Sequence, residues 1–313
     1  MEVPFGKGNQ YVEEKFILSL VMSHRSGFVN ILGNPNVGKS TIMNMMVGEK
    51  LSIISPKVQT TRHRIMGIVN GDDFQIVYSD TPGILKPRYK LHESMMNFVN
   101  TALTDADIII YVTDVTEKAD PAGEYLNKIR ESGIPVIIVV NKIDLTDQEK
   151  LERIVEMWFS IFPQSEIIPV SALKSFNLDV LLKSILDKLP EGEPYFPKDQ
   201  LTDRYERFFA AEIIREKIFR HYQKEIPYSV EVEIESFIEE QGKNSIRAII
   251  NVTRESQKGI IIGHRGQMLK KVGTAARKDM EDFFGLKVFL ELYVRVVKDW
   301  RDRPASLKRF GYR

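Results

Sequence analysis

The chain has 313 residues, 43% of them hydrophobic and 28% charged, which is the composition of a globular protein long enough for two domains. It contains no cysteine, which excludes disulfides, thiolate catalysis and cysteine-ligated metal sites. Charge is nearly balanced overall, but residues 201–313 carry 23 basic and 17 acidic side chains, whereas residues 1–200 carry 21 and 26. This asymmetry favours contact between the C-terminal part and nucleic acid or another anionic surface.

Residues 1–23 have no clear periodicity, and we interpret them as a mobile N-terminal extension. The apolar run FILSLVM within them lacks the basic flank and cleavage site of a signal peptide. No apolar run approaches the roughly 18 residues of a membrane span.

Short apolar runs alternate with segments of helical length between residues 24 and 190. Near-continuous Val/Ile runs indicate strands buried on both faces, and their alternation with helices is typical of a mostly parallel α/β sheet. Asn70-Gly71 marks one hairpin within this domain. The predicted strands cover residues 28–32, 64–70, 74–80, 107–114, 136–141 and 166–172, and one predicted helix covers 40–48.

A linker is predicted at residues 191–200, where EGEPYFPKDQ has two prolines and mixed charge. A smaller α+β domain then covers 201–298, in the order helix, strand, strand, helix, helix, strand. Its first strand, 228–235, alternates strictly, which predicts that Tyr228 and Val230 face the core while Ser229 and Glu231 face solvent.

Residues 33–40 read GNPNVGKS, which matches the phosphate-binding pattern GxxxxGKS between a strand and a helix. In this pattern backbone N–H groups surround the phosphates, Lys39 reaches the β- and γ-phosphates, and the Ser40 hydroxyl ligates Mg²⁺. The residues assigned to nucleotide binding here are Gly33, Asn34, Pro35, Asn36, Val37, Gly38, Lys39, Ser40 and Thr41.

The sequence DTPG, made of Asp80, Thr81, Pro82 and Gly83, ends the strand FQIVYSD. A carboxylate at this strand end can hold Mg²⁺ from the far side, and the Gly83 N–H can sense a γ-phosphate. We therefore assign all four residues to the nucleotide site.

The loop between these two motifs, residues 51–64, contains Thr60 and Thr61. A threonine hydroxyl here can join Mg²⁺ and order the loop when a γ-phosphate is present. We favour Thr61, and we expect Lys39, Ser40, Thr61, Asp80 and Gly83 to act on the γ-phosphate.

The motif Asn141-Lys142-Ile143-Asp144 follows the strand VIIVV and predicts a site that recognises the base of the nucleotide. The Asp144 carboxylate can accept hydrogen bonds from guanine N1–H and the 2-amino group, whereas adenine offers a lone pair at N1 and no 2-amino group. This argues against an ATPase. The tripeptide Ser171, Ala172 and Leu173 fits a backbone contact to guanine O6.

The C-terminal domain contains GIIIGHRGQ at residues 259–267. Glycines at both ends of GHRG let a nucleic-acid backbone approach closely, and this is the GxxG loop by which KH domains hold about four nucleotides. The residues assigned to RNA binding are Ile260, Ile261 and Ile262 as an apolar floor, with Gly263, His264, Arg265, Gly266, Gln267 and Lys270.

The segment 299–313 mixes Arg and Lys with Trp300, Phe310 and Tyr312. Its aromatic rings either stack on bases or pack on the domain, and the sequence leaves both interpretations open.

Taken in order, GNPNVGKS, QTTRHR, DTPGI, NKID, SAL and GIIIGHRGQ resemble the Era family of GTPases over about residues 24–313. The resemblance implies a P-loop GTPase domain followed by a type II KH domain. It implies Mg²⁺, GTP and GDP as ligands, and binding to the 3′ end of 16S rRNA during assembly of the small (30S) ribosomal subunit. It further implies a cytoplasmic monomer that can associate peripherally with the inner membrane.

Two positions bear on hydrolysis. Ile84 follows DTPG, where Ras-like enzymes carry the glutamine that orients water, so we expect slow intrinsic hydrolysis. Asn36 matches a position that helps hold K⁺ in related GTPases. We hypothesise an RNA-dependent GTPase switch; the alternative is an RNA-binding assembly factor in which GTP is a structural ligand.

Overall fold

The computed structural model describes residues 24–117 and 123–312, so the predicted extension 1–23 lies outside the described residues. The strands are β1 (Arg25–Leu32), β2 (Ile65–Asn70), β3 (Phe74–Asp80), β4 (Ile108–Asp114), β5 (Val136–Asn141), β6 (Glu166–Pro169), β7 (Glu231–Glu240), β8 (Lys243–Val252) and β9 (Lys287–Val296). The helices are α1 (Lys39–Val47), α2 (Lys90–Thr104), α3 (Glu124–Glu131), α4 (Gln148–Ile161), α5 (Leu178–Lys188), α6 (Glu206–His221), α7 (Ile226–Ser229), α8 (Glu255–Ile262), α9 (Gln267–Phe284) and α10 (Pro304–Arg309).

The first six strands form one sheet in the order β2-β3-β1-β4-β5-β6. Only β2 runs antiparallel to its neighbour, because the Asn70-Gly71 turn folds it back on β3. β4 and β5 are buried along their whole length, as their unbroken apolar runs predict. The carboxyl ends of β1, β3, β4 and β5 therefore meet at one edge, where ligands of such sheets bind.

The last three strands form a second sheet, in the order β7-β8-β9. β7 and β8 are antiparallel, whereas β8 and β9 are parallel and are joined by the crossover through α8 and α9. Apolar side chains of α6, α8 and α9 cover this sheet in a core that includes Ile218, Ile250, Ile261 and Val272. This is the predicted α+β domain.

The predicted strand 228–235 is wrong in its first part. Tyr228 and Ser229 lie in the short helix α7, which begins beside Pro227, and β7 starts at Glu231. A register shift between Ile234 and Ser236 then interrupts the alternation. Glu231, which alternation placed in solvent, is buried because it pairs with Arg62 of the N-terminal domain.

The connection 191–200 lies along the first sheet. Its residues contact the β2–β3 hairpin, where Gln75 Nε2 donates to the carbonyl of Phe196 at 2.8 Å. One residue beyond it, the Leu201 carbonyl accepts from the N–H of Ile68 at 2.8 Å. The segment is therefore held on the N-terminal domain up to the start of α6.

Helix α6 lies between the two domains and buries a row of charged side chains. Arg215 is bonded to Glu212 on the same helix, Lys217 pairs with Glu216, and Lys50 of the N-terminal domain reaches Glu216 at 3.0 Å. Charged groups are rarely buried unless they are paired. The first two pairs satisfy charges within α6, and the Lys50–Glu216 pair joins α6 to the first domain.

The C-terminal aromatic residues pack on the protein. Trp300 is fully buried and its indole N–H donates to the Ser229 carbonyl at 3.0 Å, while the Phe310 ring lies edge-on to it. Tyr312 is buried as well. The structure therefore supports the interpretation in which the aromatic rings of residues 299–313 pack on the domain.

Within 24–117 and 123–312, no helix combines the length and the apolar character that crossing a bilayer requires.

Candidate nucleotide and RNA sites

The phosphate-binding loop, residues 33–40, joins β1 to α1. Gly38 has φ 101°, and a Cβ there would lie 2.2 Å from Nδ2 of Asn141, so only glycine fits. Lys39 is buried and donates to the carbonyls of Gly33 at 3.0 Å and Asn34 at 2.8 Å. Burial lowers the pKa of Lys39 to about 8, against the attraction of Asp80 and Glu117. A phosphate beside this ammonium would raise the pKa of Lys39 again, because nearby negative charge favours the protonated form.

Three oxygen-bearing side chains from separate segments converge beside Lys39. Ser40 Oγ lies 2.9 Å from Thr61 Oγ1 and donates to Asp80 Oδ2 at 2.6 Å, and Thr61 Oγ1 lies 3.3 Å from the same carboxylate oxygen. Asp80 is fully buried and burial raises its pKa, and among residues 24–117 and 123–312 its Oδ1 has no hydrogen-bond partner. Hard oxygen donors with an unpartnered carboxylate oxygen fit Mg²⁺. The neighbouring Thr60 donates instead to the Lys57 carbonyl at 2.6 Å.

The base-reading residues meet at the ends of β5 and β6. Asn141 donates to the Val37 carbonyl at 2.9 Å and accepts from the Ala172 N–H at 3.1 Å, so it ties the phosphate loop to the tripeptide 171–173. Ser171 Oγ donates to Asp144 Oδ1 at 2.5 Å, while the Leu173 side chain is exposed. The chain thus brings a carboxylate and backbone donors to one edge, as guanine requires.

A cavity of about 460 Å³ lies over the phosphate-binding loop and extends to Lys142, while Asp80, Asn141, Asp144 and residues 171–173 do not line it. Many of the predicted nucleotide residues line it, namely Pro35, Asn36, Gly38, Lys39, Ser40, Thr41, Thr61, Thr81, Gly83 and Lys142. Two predicted residues turn their side chains away from it, because Val37 is buried in the core and the Asn34 amide donates to Glu117. Their contribution to a bound nucleotide is therefore through the backbone.

Sequence reasoning missed Asp114, which ends β4. Lys142 Nζ donates to Asp114 Oδ2 and to the Asn36 carbonyl, both at 2.6 Å, so its stem lies across the end of the loop. Burial by itself raises the pKa of Asp114, but hydrogen bonds from Lys142 and Thr116 outweigh burial and lower it. The sequence contains a pattern that could have identified Asp114, since it ends the apolar run IIIYVTD much as Asp80 ends FQIVYSD.

The GxxG loop joins α8 to α9 in the second domain. Gly263 and Gly266 have φ of 71° and 75°, and His264 and Arg265 between them are exposed. Gln267 and Lys270 are exposed on the first turns of α9. The loop thus presents the hydrogen-bond donors and positive charge of His264 and Arg265 between two glycines that have positive φ.

The predicted apolar floor Ile260–Ile262 is wrong for Ile261, which is fully buried in the core, whereas Ile260 is exposed. Consecutive helical residues point about 100° apart and cannot share one face. A groove of about 360 Å³ lies instead between α9 and β9, beside Gly266 and Lys270. Its other lining residues, which the sequence did not reveal, are Leu269, Gly273, Thr274, Arg277, Leu290 and Leu292.

Comparisons with known proteins support both predicted domains. A model of the 50S ribosome-binding GTPase family matches residues 28–142, and a KH domain model matches residues 225–301. The GTPase Era of Syntrophus aciditrophicus is 47% identical over 291 residues, which span 92% of this chain and 95% of that protein. The chain belongs to the Era family of GTPases. It is a GTP-hydrolysing enzyme with a mostly parallel P-loop domain and a C-terminal KH domain, as the sequence predicts.

Solved Era structures have the same fold. Aquifex aeolicus Era, crystallised as an alanine variant bound to GDP·AlF₄⁻, has a TM-score of 0.88 and 44% identity, covering 92% of this chain and 99% of that one. An Era bound to MgGDPNP and nucleotides 1506–1542 of 16S ribosomal RNA has a TM-score of 0.88, 43% identity and the same coverage.

Ile84 follows the DTPG motif of this Era chain. Its backbone N–H donates to the Gly33 carbonyl at 3.1 Å, and its side chain packs against the core cluster that contains Leu32 and Tyr111. An isoleucine has no polar atom with which to orient water. Water activation in this enzyme therefore does not come from the side chain at this position.

Proposed function

We propose that the protein is a guanine-nucleotide switch that binds single-stranded RNA at the 3′ end of 16S rRNA and assists assembly of the small ribosomal subunit. The observation that carries this proposal is the Era complex with MgGDPNP and nucleotides 1506–1542, from a protein 43% identical across 92% of this chain. The GxxG loop and the groove beside it supply the chemistry for RNA on this chain.

At the nucleotide site, Lys39 and the backbone of residues 33–40 hold the phosphates, and Ser40, Thr61 and Asp80 hold Mg²⁺. When bound, Mg²⁺ neutralises charge on the phosphate oxygens. Gly83, which lines the same cavity, offers its N–H toward the γ-phosphate. Because Ile84 cannot orient water, intrinsic hydrolysis is slow, and a partner completes the site.

At the RNA site, exposed Lys270 and Arg277 flank the groove, with Leu290 and Leu292 as its apolar wall. Lysine and arginine contacts to phosphates release counterions, so binding weakens steeply with salt. The Tyr222 hydroxyl donates to the Ile261 carbonyl at 2.6 Å, which joins α6 at the domain interface to the helix that precedes the GxxG loop. This contact supports coupling between the RNA site and the nucleotide site.

The deciding experiment measures GTP hydrolysis in K⁺ buffer with and without a short single-stranded RNA matching the 3′ end of 16S rRNA. We expect stimulation that a GxxG variant abolishes. Tight RNA binding with no change in rate overturns the switch and favours the alternative, in which GTP is a structural ligand.

Substitution of Asp80 or Lys39 separates these two functions in cells. The switch requires loss of subunit maturation while RNA binding is retained, because the site is damaged far from the GxxG loop. The alternative requires little effect beyond stability.

We also propose that Asn36 contributes to a K⁺ site, and that the protein is a cytoplasmic monomer with peripheral attachment to the inner membrane. The excess of basic side chains in residues 201–313 supports attraction to anionic lipid. Flotation with vesicles of anionic and of neutral lipid tests the attachment, and sedimentation tests the monomer.

A further inference from the structure

We propose that Arg62 is a positioning residue for Thr61, and that the C-terminal domain supplies the groups that hold it. The Arg62 side chain has 0% exposure and lies between the domains. Its Nη1 donates to the Val230 carbonyl at 2.7 Å and to Glu231 Oε2 at 3.2 Å, and its Nη2 donates to the Pro227 carbonyl at 2.9 Å. All three acceptors belong to the stretch 227–231 of the second domain.

Thr61 precedes Arg62 directly, and its hydroxyl lies 2.9 Å from Ser40 Oγ and 3.3 Å from Asp80 Oδ2. Adjacent Cα atoms are about 3.8 Å apart across a trans peptide, so a guanidinium fixed by three acceptors restricts where the Thr61 hydroxyl can go. Hydrogen bonds from a charged donor are stronger than neutral ones. The nucleotide loop is thus anchored outside its own domain. This inference rests on the proposed Mg²⁺ role of Thr61.

Residues on both sides of Thr61 and Arg62 also contact the C-terminal part of the chain. Lys57 Nζ donates to the carbonyls of Phe219 and Tyr222 at the end of α6. His63 stacks on Tyr312 with ring centroids 4.3 Å apart. The Tyr312 hydroxyl in turn donates to Glu231 Oε2 at 2.7 Å, the same oxygen that accepts from Arg62. The C-terminal part of the chain therefore contacts this stretch on both sides of Thr61, at Lys57 and at Arg62 and His63.

A matched control is available at the same interface. Lys50 pairs with Glu216 of α6 at 3.0 Å and with Asp279 of α9 at 3.9 Å, and its side chain is half exposed. Lys50→Ala removes a contact between the domains without releasing Thr61. It therefore separates positioning of Thr61 from general loosening of the interface.

The first test compares kcat, KM for GTP and the Mg²⁺ concentration for half-maximal rate, in the full chain, for Arg62→Ala, Thr61→Ala, the double variant and Lys50→Ala. We expect Arg62→Ala to lower kcat about tenfold and to raise the Mg²⁺ requirement, with a smaller change in KM. The double variant should be no slower than Thr61→Ala, because Arg62 acts through that hydroxyl. Lys50→Ala should match the wild type, and Arg62→Lys should recover part of the rate.

A second readout does not depend on turnover. Hydrogen exchange of the amides of residues 57–64 is measured with GDP and with a non-hydrolysable GTP analogue plus Mg²⁺. We expect Arg62→Ala to lose the extra protection that the analogue gives, while Lys50→Ala keeps it.

Additive losses in the double variant, or equal loss of GDP and GTP-analogue affinity in Arg62→Ala, overturn the inference. If Thr61→Ala alone changes neither rate nor Mg²⁺ requirement, the proposed role of Thr61 fails instead. Should Arg62→Ala not fold, Arg62→Lys keeps the charge but lacks the guanidinium that bonds all three acceptors, and we expect about a two- to threefold loss in the same direction. An unchanged rate and unchanged protection in that variant overturn the inference.

Discussion

Ser171 Oγ donates a 2.5 Å hydrogen bond to Asp144 Oδ1, and this bond joins two loops that follow different strands of the sheet. The bond fixes the orientation of the carboxylate that is assigned to guanine. Asp144 itself is exposed, so its direction is set by this partner rather than by packing. We therefore expect selectivity for guanine to depend on Asp144 and Ser171 together.

Asp144→Asn should lower GTP affinity and relax the preference for guanine, because the amide presents a donor where the base also has donors. Hydrogen bonds to a charged group contribute about 1.5–3 kcal/mol each, so we expect a loss of about 10- to 150-fold. The measurement is the affinity for GTP, ITP and ATP by competition. Ser171→Ala should lose only a few-fold, and unchanged GTP-to-ITP selectivity in Asp144→Asn contradicts the assignment.

Hydrolysis should be faster in K⁺ than in Na⁺ buffer if Asn36 helps hold K⁺. The Asn36 amide donates to the Pro56 carbonyl at 3.0 Å, so it already lies between the phosphate loop and the segment 51–64. Asn36→Ala should abolish the difference between the two ions. Asn34→Ala is the matched control, because the Asn34 amide turns toward Glu117, and it should keep the difference. Equal rates in both buffers rule out the K⁺ role.

Gly266→Asp should abolish RNA binding, and it should lower Tm less than Gly263→Asp does. A Cβ on Gly266 meets open space, whereas one on Gly263 would lie 2.7 Å from the Met268 side chain. Both place a carboxylate against the RNA backbone. Affinity for single-stranded RNA and thermal melting are measured together. Wild-type affinity in both variants would mean that RNA binds elsewhere.

Trp300→Ala should destabilise the protein by about 3–5 kcal/mol, the range for removing a buried tryptophan. The indole is fully buried and its N–H bonds to the Ser229 carbonyl. Chemical denaturation measures the loss. RNA affinity of the folded fraction should not change, and a selective loss of RNA affinity would instead support base stacking by this segment.

Acid should destabilise the fold partly through His63. Burial, followed by the nearby Arg215, Arg204 and Arg62, lowers the pKa of His63 well below its usual value of 6.5. Below pH 6.5 the unfolded chain therefore binds a proton that the native state does not. Stability falls by about 1.4 kcal/mol per pH unit from this group as pH decreases toward the native pKa.

His63→Phe keeps an aromatic ring beside Tyr312 and removes the titrating group. Denaturation at pH 7.5 and pH 5 should show a smaller acid loss in this variant than in the wild type. An identical pH dependence would show that His63 is not buried in its neutral form.

The secondary structure was predictable where one local pattern dominates. The unbroken runs of β4 and β5 predict strands buried on both faces, and the structure has them. β7 was harder, because Tyr228 and Ser229 continue the alternation in sequence but lie in α7, and a shift in register between Ile234 and Ser236 then interrupts it. The sequence does not encode such a bulge in residue type.

The sequence by itself was enough to assign the GTPase and KH domains and to predict the phosphate loop, the carboxylate at Asp80 and the guanine motif, because each depends on residue types at fixed short spacing. Packing decided the rest. It put the hydroxyl of Thr61, and not that of Thr60, beside Ser40, buried Ile261 and Trp300, and placed Glu231 against Arg62. These outcomes depend on contacts between residues far apart in the chain, which form only when two domains bury surface and pair their buried charges against each other.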